Sequence, residues 1–149
     1  MPVLYFDTCA LAKRYYRESG HKDVKRLIGV PTNNVVLSNI GATEMSSVLW
    51  KKHRQSDLTE QNARKRLSRF IYDGQNEYKL YPVKAQLLGD AIGLIQKHGL
   101  RTLDAIHLAT ARRIQQAVQS FKMITSDKDL FFAADVEDMR PIDPAGNFP

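Results

Sequence analysis

The chain has 149 residues, 22 Lys and Arg against 16 Asp and Glu, and a net charge of +6. That length suits one domain with a real core. The 43% hydrophobic content excludes wholesale disorder, and the single Cys excludes a disulfide framework or a Cys-rich zinc site.

The predicted elements alternate. A strand at residues 3–6 precedes a helical region at 8–18 and 22–28. A second strand, 35–38, leads into a helix at 42–53 and another at 57–72, with Ser56 as its expected N-cap. A third strand, 79–83, precedes a helix at 84–98 that ends at Gly99. A helix at 102–118 follows, with Thr102 as its expected N-cap, then a strand at 121–125, a short helix at 128–134 and a weaker fifth strand at 139–142. The strands are apolar on both parities, as expected where both faces are covered. The pattern predicts an α/β/α sandwich with a central, mostly parallel sheet of about five strands, in one domain over residues 1–143. Residues 144–149 read as a loose tail. No apolar run reaches the roughly 18–20 residues of a membrane helix, and the N-terminus lacks the basic start of a signal peptide. No membrane partner is expected, and the lone Cys is compatible with a reducing, cytoplasmic location.

Charge is unevenly spread. Residues 127–143 hold six acids and two bases, a net −4, so the rest of the chain carries +10. Such a basic excess points to a polyanionic partner. Ligands of a doubly wound sheet sit beyond the carboxyl ends of its strands, and acids stand there. Asp7 ends the first strand, Glu44 lies shortly after the second, and Asp127 follows the fourth. Asp104 opens a helix that a usual crossover brings to the same edge. Each acid alone reads as a helix cap or a dipole partner. Four together repel one another unless a cation compensates. Oxygen-only ligands select Mg²⁺ or Mn²⁺. An acidic metal pocket on a basic protein suits phosphodiester hydrolysis. Lys13, Arg14 and Arg17, on the helix that begins beside Asp7, are candidate phosphate-backbone contacts.

The segments Tyr5-Phe6-Asp7-Thr8-Cys9-Ala10-Leu11-Ala12-Lys13, Ala42-Thr43-Glu44, Leu103-Asp104-Ala105-Ile106-His107-Leu108-Ala109-Thr110-Ala111 and Ile124-Thr125-Ser126-Asp127-Lys128-Asp129-Leu130 resemble, in order and spacing, the PIN domain. More narrowly, they resemble the VapC-like toxins of type II toxin–antitoxin operons. The resemblance covers nearly the whole chain. It implies a Mg²⁺- or Mn²⁺-dependent endoribonuclease acting on RNA, a cognate antitoxin protein and a homodimer. It also implies a metal-binding, catalytic quartet of Asp7, Glu44, Asp104 and Asp127. Thr125 and Thr8 would orient carboxylates or water, and Asp129 is a further candidate acid ranked below Asp127. The helical pair at 42–53 and 57–72 resembles the family's protruding arm. Cys9 stands where the family often has Ser. It reads as a small packing residue, because neighbouring acids would raise its pKa and hard cations avoid sulfur. His107, three residues after Asp104, could share its ligand face, but the stripe of Leu103, Ile106, His107, Thr110 and Ile114 favours packing on the sheet.

Two competing classes remain. An aspartyl-phosphate enzyme of the haloacid-dehalogenase type expects a second Asp where this chain has Cys9. A receiver domain expects an acid pair at the first strand, which is missing. The other alternative is a non-catalytic RNA- or protein-binding module of PIN-like fold, against which the intact quartet argues.

Overall fold

Strand side chains alternate between faces, and that alternation builds the layers. In the computed structural model, residues 1–148 are described; Pro149, the end of the expected tail, lies outside the described residues. Strands β1 (Val3–Phe6), β2 (Asn34–Ser38), β3 (Lys79–Tyr81) and β4 (Phe121–Ile124) form one sheet in the order β3-β2-β1-β4, with every neighbouring pair parallel. Leu4 faces Val35 and Lys122 in register, so β1 lies at the centre.

The helices are α1 (Thr8–Tyr15), α2 (His21–Gly29), α3 (Gly41–Arg54), α4 (Glu60–Asn76), α5 (Ala85–His98), α6 (Thr102–Ala117) and α7 (Lys128–Val136). Val3 and Tyr5 of β1 pack with Val36, Met123 and the inner faces of α5, α6 and α7. Leu4 and Phe6 pack with Val35, Leu37, Ile124 and the inner faces of α1 to α4. This is the α/β/α sandwich the sequence predicts, with four strands rather than five. The weak fifth strand is a single bridge between Ile124 and Ile142; beside it Met123 N–H donates to the Met139 carbonyl and Ile142 N–H donates to the Met123 carbonyl. Asp138 and Arg140 take positive φ values of 63° and 47°, which bends the segment out of extended pairing.

Two caps differ from expectation. Ser56 has φ 64° and closes the end of α3, its N–H donating to the His53 carbonyl. The N-cap of α4 is Thr59, whose hydroxyl accepts from Asn62 N at 3.1 Å. Thr102 is the first residue of α6, and Arg101 takes the cap position without a side-chain cap bond. Gly99 ends α5 in the left-handed conformation, φ 66°, and donates to the Ile95 carbonyl at 2.8 Å.

The C-terminal segment folds back. Asp143 is buried, and its carboxylate accepts from the Ser126 hydroxyl at 2.7 Å and from the backbone of Ala145 and Asn147. Phe148 rests beside Phe131 and Phe132 of α7. Gly20 lies under this segment with φ 93°, where a Cβ would meet the Pro144 carbonyl carbon at 2.9 Å. Among the described residues, no helix is long and apolar enough to cross a membrane.

Candidate active site

The chain leaves β1 for β2 on one side and reaches β4 on the other. The order reverses between β1 and β4, and a crevice opens at such a switch point beyond the carboxyl ends. Asp7 and Asp127 stand there. Asp7 directly follows β1, and its N–H bonds the Ile124 carbonyl of β4 at 3.1 Å. Both acids also act as helix caps. Asp7 Oδ1 accepts from Ala10 N at 2.8 Å at the start of α1, and Asp127 Oδ1 from Leu130 N at 2.9 Å at the start of α7. The cap reading therefore holds for both.

Thr125 ties the two acids. Its hydroxyl donates to Asp7 Oδ2 at 2.6 Å and accepts from Asp127 N at 3.1 Å. Asp104 lies in the first turn of α6, and Glu44 in the first turn of α3. Thr8, the residue after Asp7, donates its hydroxyl to Glu44 Oε1 at 2.8 Å. Asp104 joins through Arg101, whose Nε is 3.4 Å from Asp104 Oδ2 and whose Nη2 is 3.5 Å from Asp127 Oδ2. This guanidinium is a cation already lying between two of the acids.

Electrostatics reports the same convergence. Burial, aided by the charge of Asp127, lifts Asp7 to a pKa of about 6, against relief from His107, Thr125 and Ala10. Asp104 is also raised, by desolvation and then by Asp127. The Cys9 thiol is pushed up to about 12 by desolvation and by all four acids, Asp7, Asp127, Glu44 and Asp104. Cys9 is exposed, not a packing residue, because its side chain leaves α1 on the side of the acids while Ala10 and Leu11 turn to the core.

The remaining candidates separate. Arg14 points away from the acids into an internal cluster, with Nη1 2.8 Å from Glu77 Oε2 and 3.6 Å from the fully buried Asp73, beside the Tyr78 hydroxyl. Lys13 is largely buried, 3.6 Å from Glu18. Arg17 is exposed and lines a surface cleft with His21, Lys22 and Lys25. Asp129 is exposed in the first turn of α7 and, among the described residues, bonds none of the four acids.

His107 is the residue that periodicity understates. It is buried with Ile106, Thr110 and Ile114 of the predicted stripe, whereas Leu103 of that stripe is exposed, but it is not merely packed. Its Nε2 lies 2.7 Å from Glu44 Oε1 and its Nδ1 2.7 Å from the Tyr5 hydroxyl. Burial alone would lower the imidazole pKa; the Glu44 hydrogen bond and the charges of Glu44, Asp7 and Asp104 outweigh it and raise the value. The available signal was a His one turn after an acid on a helix that opens at the site.

The donor set fits a hard divalent cation. It is all carboxylate oxygen at the mouth, two of the acids have pKa values raised by burial and like charge, and added positive charge would relieve both. Among the described residues, no three Asp, Glu, His or Cys side chains are gathered closely enough to hold a metal ion as they stand.

The PIN domain family model matches residues 4–136. Ribonuclease VapC3 of Pyrobaculum aerophilum is 28% identical over 127 residues, spanning 85% of this chain and 91% of that protein. The structure of VapC20 of Mycobacterium tuberculosis, described as a sarcin-ricin loop cleaving toxin, matches with a TM-score of 0.66 at 19% identity, over 87% of this chain and 94% of that one. FitAcB of Neisseria gonorrhoeae matches with a TM-score of 0.61 at 18% identity, over 96% and 99% of the two chains. At such identities the solved structures establish the shared fold.

Proposed function

Because this chain belongs to the PIN-domain family, we propose that it is a metal-dependent endoribonuclease and the toxin of a toxin–antitoxin pair. The observation that carries the proposal is the hydrogen-bonded arrangement at the β1–β4 switch point, where Thr125 joins Asp7 to Asp127, Arg101 bridges Asp104 and Asp127, and Thr8 and His107 hold Glu44. The ribonuclease name of its Pyrobaculum relative supports the substrate class.

Asp7, Glu44, Asp104 and Asp127 would hold Mg²⁺ or Mn²⁺, which when bound supplies an activated water and offsets negative charge at phosphorus. The chain's own residues prepare that site. Thr125 holds Asp7 and the Asp127 backbone in one arrangement, and Thr8 does the same for Glu44. Arg101 neutralises Asp104 and Asp127 and, being largely exposed, can turn toward a phosphate that approaches the acids. Arg17 with Lys22 and Lys25 offers a basic flank for the RNA backbone; Lys13 and Arg14, engaged internally, contribute less. Asp129 stands outside the ligand set in this reading.

A toxin–antitoxin complex from Klebsiella pneumoniae, matched with a TM-score of 0.59 at 22% identity over 95% of this chain and 97% of that one, supports a protein antitoxin as partner. A homodimer and a cytoplasmic location complete the reading. The test is cleavage of a mixed RNA substrate by purified protein. Wild type with Mn²⁺ should cut, and excess EDTA, Asp7→Asn or Asp104→Asn should each abolish cutting. Cleavage that persists in excess chelator refutes metal dependence. A folded wild type that binds RNA but cuts none, with either metal, supports the non-catalytic module instead.

A further inference from the structure

Glu44 stands in the opening turn of α3, a helix of one layer, and His107 stands on α6, a helix of the other. They meet beyond the end of β1 through a hydrogen bond of 2.7 Å. The Glu44 carboxylate accepts there from His107 Nε2–H. Nδ1 of the same ring shares a hydrogen bond of 2.7 Å with the Tyr5 hydroxyl, fully buried at the centre of the sheet. Tyr5, His107 and Glu44 thus form a chain of hydrogen bonds running from the core to the mouth of the site. The Thr8 hydroxyl donates to the same oxygen, Oε1, at 2.8 Å. Among the described residues, both hydrogen bonds to Glu44 fall on Oε1 and none on Oε2.

We propose that His107 is a positioning residue for the metal site: its Nε2–H, backed by Tyr5 and joined by Thr8, occupies Glu44 Oε1 and leaves Oε2 as the one oxygen offered to a cation. An unrestrained glutamate in a helix's first turn samples several rotamers and can swing into solvent. The chain removes that freedom before a cation arrives. Partners of this kind commonly change metal affinity by about 10–100-fold when removed. This inference rests on reading the four acids as a metal site.

Two substitutions separate positioning from packing. Gln at position 107 carries an amide nitrogen at the reach of Nε2 and can still donate to Glu44. Asn carries one only at the reach of Nδ1, so it keeps a polar partner for Tyr5 and loses Glu44. Mn²⁺ affinity of the metal-free protein is measured by titration calorimetry, with melting temperatures recorded in EDTA. His107→Gln should stay within about threefold of wild type, and His107→Asn should bind Mn²⁺ at least about tenfold more weakly. Tyr5→Phe, which keeps the ring in the core, should weaken Mn²⁺ severalfold by freeing Nδ1. Equal affinities for wild type and His107→Asn overturn the proposal, and so do equal losses in Gln and Asn. If His107→Asn does not fold, Tyr5→Phe decides, and an unchanged Mn²⁺ affinity there overturns it. A wild type that takes up no Mn²⁺ refutes the metal reading itself, while binding that is lost in Asp7→Asn but unaffected by all three relay substitutions refutes only the relay.

Discussion

Replacing Asp7 with Asn tests the electrostatic picture most directly. Asp7 is 3% exposed and its pKa rises from 3.8 to about 6, first from burial and then from Asp127. A carboxyl whose folded pKa exceeds its unfolded value binds its proton more tightly in the native state. Ionisation therefore disfavours the fold. The contribution of this group to metal-free stability should be greatest at about pH 4 and below, fall as the pH rises to about 6, and then level off. The displacement is worth about 3 kcal/mol at neutral pH. Asn keeps an oxygen for the Ala10 cap, while its nitrogen requires the Thr125 hydroxyl to turn and accept, a loss of about 1 kcal/mol. The net expectation for Asp7→Asn in EDTA at pH 7.5 is a gain of about 2 kcal/mol, or about 5 °C in Tm for a chain of this size. Its stability should also lose the decline between pH 4 and 6. With Mn²⁺ in excess the order reverses, because the wild type gains by mass action and the variant does not. Thermal melts across pH, with and without Mn²⁺, read all three effects. An Asp7→Asn protein that is less stable than wild type in EDTA at pH 7.5 refutes the claim that Asp7 is held ionised against burial and like charge.

Thr125→Val removes the hydroxyl that joins Asp7 to the Asp127 backbone. It should destabilise the protein by about 2–3 kcal/mol and weaken Mn²⁺ binding; denaturant melts and calorimetry check both. Arg101→Gln removes the cation lying between Asp104 and Asp127. Because Arg101 is largely exposed, metal-free Tm should hardly move, whereas Mn²⁺ affinity should rise severalfold as the competing charge disappears, and RNA cleavage should fall. Gly20→Ala forces a side chain into a left-handed position 2.9 Å from the Pro144 carbonyl carbon. A loss of about 1–2 kcal/mol is expected, with faster proteolysis near residue 144 as the readout that places the strain under the C-terminal segment.

Features set by neighbours along the chain are legible in the sequence. The apolar runs became β1, β2, β3 and β4, and the positions just after β1 and β4 delivered Asp7 and Asp127 to the same edge. Caps set by one or two residues were less legible. Ser56 and Thr59 are both acceptable cap residues, and the choice fell to the turn that closes α3, where Ser56 adopts φ 64°. The fifth strand failed for a related reason, since positive φ values at Asp138 and Arg140 cannot be inferred from an apolar run.

The amino-acid sequence by itself determined the alternation of strands and helices, the two covered faces of the sheet, and which acids stand at strand ends. Those properties depend on periodicity and on neighbours along the chain. Only the tertiary structure decided what holds the acids. Tyr5 and His107 are 102 residues apart, His107 and Glu44 are 63 apart, and Thr125 reaches Asp7 across 118. The clasp of Asp143 on Ser126, and Arg101 between Asp104 and Asp127, likewise depend on how layers and termini meet. A hydrogen bond between distant residues leaves no period in one sequence. It exists because folding brings a donor within about 3 Å of an acceptor, and that distance belongs to the packed molecule alone.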